Sequence, residues 1–433
     1  MSARGDLFVH ARTPEGRQAV ERLLGRGAQI LDPQTLGRAG EILDGVRREG
    51  DAALVRYARE LDGAVAATAA ELALAPGGGR DEVPPAFVAA MEEAIRAVER
   101  FHAPQVRSGY VLEKDGVWLE ERIEPLRRVG VYVPGGRAAY PSTVVMTVVP
   151  ARVAGVAEIA VATPPGSYRA NAALRWTLER LGVREIWGMG GAHAVAAFAY
   201  GTGTIRRVDK IVGPGNAWVT AAKKLVVGDV AIDGIAGPSE VVILADGSAL
   251  PIADRLAADL LAQAEHDPQA AAVLITPDPR LAYLVGAQVE LQLTDLATAE
   301  TARASWERFG AILVVESLDE AVELVNRIAP EHLQLVGPSV ERLADRIHAA
   351  GAVFLGPDTP EVFGDYIAGP SHVLPTCGSA RFTSALGVED FLRRSHRIRF
   401  TPAAAARRAE AAAVLADAEG LPAHAASARR RLR

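Results

Sequence analysis

An acidic residue and a histidine stand side by side in the string Pro330-Glu331-His332. The string follows a helical pattern and precedes a short apolar run. A neutral imidazole can accept a proton near pH 7, and a carboxylate can orient or activate a water molecule. Turns beside strand ends are where α/β enzymes place reactive groups. The string is therefore a candidate acid–base pair, although the same residues also fit an ordinary surface turn.

Three other segments carry side chains that could bind a metal ion. Gln263 and His266 end a predicted helix at i, i+3 spacing, so their side chains share one face. Asp365 lies in a turn-forming segment rich in Gly and Pro, and Glu419 and His424 are five residues apart near the C-terminus. A ligand from the C-terminal arm requires that arm to pack onto a cleft, in its own chain or in a partner.

Glycine-rich turns lie beside predicted strands at 134–136, 213–216 and 237–240. Such turns can bring backbone N–H groups close to an anion, although they also serve as ordinary tight βα turns. No segment fits the G-x-G-x-x-G spacing, so a conventional dinucleotide fingerprint is absent. The occurrence of these turns in one α/β region favours a binding cleft.

Composition excludes several classes of protein. The 433 residues carry a net charge of −6 without a basic stripe, which argues against a nucleic-acid partner. No apolar run of ~20 residues predicts a membrane span, and the N-terminus does not resemble a signal peptide. The single cysteine, Cys377, excludes an internal disulfide and predicts a cytoplasmic protein. Cys377 has no clear activating pattern as a nucleophile, so we expect a small buried apolar group.

The hydrophobic pattern predicts an α/β fold. Apolar residues at helical spacing lie within 15–60 and 85–103, and Asp115-Gly116 between alternating segments predicts a hairpin. Strands then alternate with helices in one series from 128 and in a second series from 241. These series predict two tandem Rossmann-like domains with incomplete parallel sheets and a cleft between them. A helical N-terminal segment and a helical C-terminal arm complete the predicted fold.

Taken together, the motifs resemble those of the histidinol dehydrogenases. The resemblance runs from about residue 30 to His424, and the order and spacing of the strings make it specific. The strings are Val131-Tyr-Val-Pro-Gly-Gly136, Val208-Asp-Lys-Ile-Val-Gly-Pro-Gly-Asn216, Ala236-Gly-Pro-Ser-Glu240, Leu260-Leu-Ala-Gln-Ala-Glu-His266, Pro330-Glu-His332 and the segment 364–375.

The resemblance implies an NAD-dependent enzyme that oxidises L-histidinol to L-histidine through L-histidinaldehyde, the last step of histidine biosynthesis. It also implies a bound Zn²⁺ in each subunit and a homodimer whose active sites take residues from both subunits. His332 would be the general base in both oxidations, and Glu331 would activate the water that adds to the aldehyde. The implied zinc ligands are Gln263, His266, Asp365 and His424.

The resemblance further implies substrate contacts from Ser239, Glu419, His332 and the four zinc ligands. Tyr132, His193 and Asn216 match positions that contact the dinucleotide. His193 departs from the family pattern, which usually has Gln in Gly-Gly-Ala-Gln-Ala. We expect NAD⁺ use to survive this change, with altered affinity or pH dependence.

The implied domain division assigns a role to each part of the chain. We expect an N-terminal helical segment (1–27), a first α/β domain that carries zinc and substrate (28–127 plus 239–385), a second α/β domain on the NAD side (128–238) and a C-terminal dimerisation arm (386–433).

Three alternatives remain open at this point. A related zinc- and NAD-dependent dehydrogenase could act on another alcohol, such as a sulfonated diol, although Glu419 and His424 favour histidinol. A zinc hydrolase could use Glu331 as its base, but the chain lacks an H-E-x-x-H helix. A non-catalytic metal- or nucleotide-binding protein would not depend on His332.

Overall fold

The computed structural model describes residues 8–29, 31–135 and 140–432. Within them the α-helices are α1 (Pro14–Leu24), α2 (Pro33–Glu49), α3 (Asp51–Asp62), α4 (Pro85–His102), α5 (Pro141–Val153), α6 (Pro165–Ala170), α7 (Ala172–Arg180), α8 (Gly191–Tyr200), α9 (Ala217–Leu225), α10 (Ala253–Ala264), α11 (Pro279–Gln292), α12 (Ala299–Phe309), α13 (Leu318–Ile328), α14 (Pro338–Glu341), α15 (Glu361–Tyr366), α16 (Pro402–Ala418) and α17 (Pro422–Arg429). No helix among the described residues is both long and apolar enough to cross a bilayer.

The strands, in chain order, are β1 (Val9–His10), β2 (Val111–Lys114), β3 (Val117–Pro125), β4 (Arg128–Tyr132), β5 (Glu158–Thr163), β6 (Glu185–Gly188), β7 (Lys210–Val212), β8 (Ala231–Ile232), β9 (Glu240–Ala245), β10 (Ala271–Thr276), β11 (Ala311–Val314), β12 (His332–Val336), β13 (Ala352–Leu355) and β14 (Leu392–Phe400). They form two parallel sheets and one antiparallel sheet among the described residues.

The first parallel sheet has five strands in the order β6-β5-β4-β7-β8. Counted from β4, this is the 3-2-1-4-5 order of a Rossmann half, with its switch point between β4 and β7. Helices α2, α8 and α9 cover one face, and α4, α5 and α7 cover the other. The strands are therefore buried on both sides, as parallel sheets require.

The second parallel sheet repeats this plan in the order β1-β11-β10-β9-β12-β13. Counted from β9, the order is again 3-2-1-4-5, with β1 added at one edge and the switch point between β9 and β12. Every residue of β9 and of β10 is buried, which explains their nearly continuous apolar sequences. The repeated order confirms the prediction of two tandem Rossmann-like units.

The antiparallel sheet, β14-β3-β2, joins the predicted hairpin to the C-terminal arm. Asp115 and Gly116 have φ values of 52° and 76°, the left-handed conformation that a tight hairpin turn needs. Helices α16 and α17 confirm a helical arm, but strand β14 was not predicted, because its sequence is mostly basic. Its charges face acidic residues of β3, as in Arg393–Glu124 at 3.0 Å.

The division into domains stays a prediction, but the packing of the N-terminal helices bears on it. Helix α1 lies in the core beside the six-stranded sheet, whereas α2 and α3 pack with α8 on the five-stranded sheet. Residues 33–62, which the predicted division assigns to the first α/β domain, therefore pack on the unit predicted at 128–238.

Candidate active site

The candidate acid–base pair lies at the switch point of the six-stranded sheet, at the amino ends of its strands. Glu240 is the first residue of β9 and His332 the first of β12, and the two strands are neighbours. Open α/β sheets usually bind ligands at their carboxyl ends, so this position is a departure. Helix α13 ends at Ala329, whose φ of 49° and ψ of 62° turn the chain into Pro330-Glu331-His332.

His332 is buried and held in one orientation. Its Nδ1 lies 3.2 Å from the backbone oxygen of Glu240, so this nitrogen carries the hydrogen and Nε2 keeps its lone pair. Nε2 lies 3.7 Å from Asp365 Oδ1. Burial lowers the pKa of His332 from its ordinary 6.5, partly opposed by the charge of Asp365. A neutral imidazole with a free lone pair can act as a general base.

Glu331 is also buried, at 5% exposure. Burial raises its pKa well above 4.5, and the nearby charge of Glu240 raises it further. Hydrogen bonds from the Glu240 backbone and from the Ser239 side chain oppose this rise. A raised pKa makes the Glu331 carboxylate a stronger base than an exposed one, which favours its use in activating water.

Gln263, His266 and Asp365 form a group that could hold a metal ion. Gln263 is 1% exposed, and neither polar atom of its amide has a hydrogen-bond partner among the described residues. His266 Nδ1 lies 2.9 Å from the Ala262 oxygen, which leaves Nε2 free, 3.8 Å from Asp365 Oδ2. A buried amide without partners and a histidine held through Nδ1 are both typical of a ligand shell.

The described residues contain no group of three or more His, Cys, Asp or Glu arranged for a metal ion. Gln263 is none of those residue types. Amide oxygen, imidazole and carboxylate fit zinc, which takes N and O ligands. Gln263, His266 and Asp365 would leave room for a further ligand to such an ion.

Glu419 and His424, the predicted contributors from the C-terminal arm, are exposed. Within the described chain, neither forms a hydrogen bond or ion pair with Gln263, His266 or Asp365. The main contacts of α16 are with α17, and β14 pairs along its length with β3. A single chain therefore does not bring these two residues to the metal-binding group.

The predicted dinucleotide contacts Tyr132 and Asn216 lie at the carboxyl ends of β4 and β7, the switch point of the five-stranded sheet. Asn216 caps α9 by accepting hydrogen bonds from the backbone N–H groups of Trp218 and Val219. The Tyr132 hydroxyl accepts a hydrogen bond from Gly191 N–H at 3.2 Å. Gly136 of the first glycine-rich turn lies outside the described residues.

His193 is fully buried, unlike the exposed Asn216. Its Nε2 lies 2.9 Å from Asp62 Oδ2, and the same oxygen accepts a hydrogen bond from Gly190 N–H at 2.7 Å. In this orientation His193 supports the turn before α8 and presents no atom to solvent. Its predicted contact with the dinucleotide stays a prediction, and the geometry favours an effect through Asp62.

Sequence reasoning missed three charged residues that surround the acid–base pair. Arg26 and Glu240 form a buried ion pair beside Glu331. Glu361 is 1% exposed, its oxygens have no hydrogen-bond partner among the described residues, and Oε2 lies 3.9 Å from His332 Nδ1. No motif marks Arg26 or Glu361, while Glu240 was noted only as part of a glycine-rich turn.

Cys377 is half-buried, less buried than expected from the sequence, but its surroundings agree with an inert role. Burial raises the pKa of its thiol to about 12, helped by the charge of Glu240. The thiolate that a nucleophile needs is therefore disfavoured.

Two Rossmann-type sheets with a buried acid–base pair place this chain in the class of α/β dehydrogenases. The family model for histidinol dehydrogenase matches residues 28–432. The chain belongs to the histidinol dehydrogenase family.

Relatives in sequence and structure agree with this membership. The chain is similar to histidinol dehydrogenase of Synechococcus sp., with 50% identity over 431 residues and 98% of each chain covered. It is 46% identical over 401 residues to histidinol dehydrogenase of Geobacter sulfurreducens, covering 91% of this chain and 92% of the relative. The crystal structure of histidinol dehydrogenase from Elizabethkingia anophelis superposes with a TM-score of 0.87 at 33% identity, covering 96% of each chain.

Proposed function

We propose that this chain oxidises L-histidinol to L-histidine through L-histidinaldehyde, with NAD⁺ as the hydride acceptor, as the last step of histidine biosynthesis. The observation that carries the proposal is the buried pair Glu331–His332 beside Gln263, His266 and Asp365. Membership of the histidinol dehydrogenase family supports the choice of substrate. The single cysteine supports a cytoplasmic location, as proposed from the sequence.

The two residues of the pair have separate tasks in this proposal. In the first oxidation, His332 Nε2 accepts the hydroxyl proton of the alcohol. The carbon that carries this hydroxyl group gives up a hydride to NAD⁺. Glu331 then accepts a proton from the water that adds to the aldehyde, while protonated His332 returns its proton to the aldehyde oxygen, so that a neutral hydrate forms and His332 Nε2 regains its lone pair. In the second oxidation, His332 accepts a proton from the hydrate, whose carbon gives up a second hydride to leave the acid. The two hydrides together carry four electrons from the substrate to two NAD⁺.

The proposed cofactors are one Zn²⁺ per subunit and NAD. Gln263, His266 and Asp365, with His424 of the partner subunit, would hold the zinc, which would supply a fixed template that orients the substrate. Ser239 lies beside Glu331 and would contact the substrate, as would Glu419 of the partner subunit. NAD⁺ would lie at the switch point near Tyr132 and Asn216, with His193 supporting the turn below it.

A homodimer is part of the proposal, because the metal-binding group lacks its C-terminal members in a single chain. Apolar side chains exposed on the antiparallel sheet and the arm support association with a second copy. Leu112 and Ile398 are 56% and 67% exposed, and Leu415 on α16 is 68% exposed. Such large apolar side chains, grouped on one sheet and the arm beside it, are typical of an interface.

Mixing two inactive variants tests the shared site. His424→Ala subunits keep His332, and His332→Asn subunits keep His424, so a mixed dimer contains one complete site. After full exchange in equal amounts, we expect about a quarter of wild-type activity, because half of the dimers are mixed. NADH formation is the measurement, and native mass spectrometry verifies exchange. Inactivity of verified mixed dimers would contradict the shared site.

The substrate is tested by NADH formation from NAD⁺ with L-histidinol and, separately, with a sulfonated diol. We expect turnover with L-histidinol, because the family comparisons favour it over the alternative alcohol. Turnover of the diol alone would assign the chain to the alternative dehydrogenase. Hydrolysis without NADH formation with any substrate would contradict the redox assignment.

A further inference from the structure

We propose that the buried Arg26–Glu240 ion pair is a positioning device for Glu331, and that it governs the water-dependent half of the reaction. This inference rests on the proposed function, because that function assigns water activation to Glu331. Neither Arg26 nor Glu240 is among the predicted catalytic, substrate-binding, cofactor-binding or metal-binding residues.

Glu240 and Glu331 hold each other through reciprocal hydrogen bonds between neighbouring strands. Glu331 N–H donates to Glu240 Oε1 at 3.2 Å, and Glu240 N–H donates to Glu331 Oε2 at 3.1 Å. Cys377 N–H also donates to Glu240 Oε1, at 2.7 Å. Both ends of Glu331, its backbone nitrogen and its carboxylate, are therefore fixed by one residue.

Arg26 holds the Glu240 carboxylate in place inside the protein. Its guanidinium pairs with Glu240 Oε2, and the two side chains are 3% and 5% exposed. Its Nη2 also donates to the backbone oxygens of Pro238, Ser239 and Gln269, at 2.8, 3.0 and 2.9 Å. A buried carboxylate is costly unless it is paired and hydrogen-bonded. Arg26 therefore fixes the Glu240 carboxylate where its other oxygen accepts hydrogen bonds from the N–H groups of Glu331 and Cys377.

His332 depends on a different atom of Glu240. Its Nδ1 is held by the backbone oxygen of Glu240, which remains in any side-chain variant. Within the acid–base pair, the Glu240 carboxylate accepts a hydrogen bond from the Glu331 backbone N–H, whereas it reaches His332 only through its charge. Loss of that carboxylate removes the acceptor that fixes the Glu331 backbone, while the backbone contact to His332 remains. We therefore expect water activation by Glu331 to be disturbed more than proton transfer by His332.

The test uses Glu240→Gln, which keeps the size of the side chain. The amide has one accepting oxygen, so its NH₂ must face either Arg26 or the N–H groups of Glu331 and Cys377. One of the two contacts is lost in either orientation. Glu331 should then be displaced or mobile while the fold persists.

Two reactions of L-histidinaldehyde separate the roles of the pair. Oxidation of the aldehyde by NAD⁺ needs Glu331, whereas its reduction by NADH reverses the first oxidation and needs only His332. We expect Glu240→Gln to lower kcat for oxidation by ~10–100-fold, the scale seen for residues that orient active groups. The kcat for reduction should change by less than about threefold.

Glu185→Gln is the matched control, because it removes the carboxylate of another Arg–Glu pair, with Arg128, at the edge of the five-stranded sheet. It should leave the ratio of oxidation to reduction unchanged. Equal losses of both reactions in Glu240→Gln, or no loss, would overturn the inference. If Glu240→Gln does not fold, Arg26→Lys serves instead, since it keeps the charge but loses the fork of hydrogen bonds. The same selective loss in that variant supports the inference, and equal or no loss overturns it.

A failure of the proposed function would look different. Wild-type protein that neither oxidises nor reduces the aldehyde would contradict the function itself. Suppose instead that the wild-type protein both oxidises and reduces the aldehyde, but Glu240→Gln slows the two reactions equally or not at all. That result would contradict only the positioning role.

Discussion

Replacing His332 with asparagine is expected to lower kcat by roughly 10²–10⁴-fold, the usual scale for a removed general base. The asparagine amide can still donate to the Glu240 backbone oxygen that now holds Nδ1, so the strand should stay in place. Since His332 is not proposed as a ligand, zinc content should remain at the wild-type level. Steady-state kinetics and metal analysis of the same preparation measure both quantities.

His348→Asn is the control for this variant, because that imidazole is exposed and lies outside the site. It should leave kcat unchanged. A His332→Asn enzyme whose kcat stays within about threefold of wild type would remove His332 from the mechanism and favour a non-catalytic binding protein.

Replacing either His266 or Asp365 with asparagine is expected to abolish stoichiometric zinc, and activity with it. Each replacement removes a nitrogen or carboxylate donor from a group that has few of them. The buried amide of Gln263 supports the same site, because it has no hydrogen-bond partner among the described residues. Such an amide is costly to bury unless a bound ion or ligand interacts with it. Metal analysis after dialysis gives the result directly.

His396→Asn and Asp358→Asn make the same chemical changes at exposed positions and should retain zinc. Retention of stoichiometric zinc in both His266→Asn and Asp365→Asn would contradict the proposed ligand set. Loss of zinc in only one variant would redefine the set without removing the site.

Much of the fold could be predicted because buried parallel strands leave a visible signal. The run Val241–Leu244 and the strand at 273–275 are apolar throughout, since both faces of their sheet are covered. Strand β14 carries no such signal. It is stabilised by pairing with β3 and by ion pairs between its arginines and the acidic side chains of β3. Its conformation depends on a partner strand far away in the chain.

The candidate site was predictable only where reactive residues are adjacent in sequence or match a family string. Glu331 and His332 are neighbours, so their chemistry can be seen without a structure. Arg26 and Glu240 are 214 residues apart, and only the packing of the N-terminal segment against β9 brings them together. Spacing along the chain cannot predict such a contact.

The position of the site was also beyond sequence reasoning. The acid–base pair lies at the amino ends of β9 and β12, whereas the predicted dinucleotide residues lie at the carboxyl ends of β4 and β7. Contacts from the segment after α15 link the two units, since Ser371 Oγ donates to the Met146 oxygen of α5 at 3.0 Å. The proposed substrate region thus uses the amino ends of the strands in the six-stranded sheet. The proposed cofactor region uses the carboxyl ends of the strands in the five-stranded sheet.

The number of NADH molecules formed per L-histidinol consumed tests the proposed function most directly. Glu331 and His332 together should carry the alcohol through the aldehyde to the acid, so we expect a yield of two, with L-histidine as the product. A yield of one, with L-histidinaldehyde accumulating, would contradict it, because the adjacent carboxylate would then activate no water.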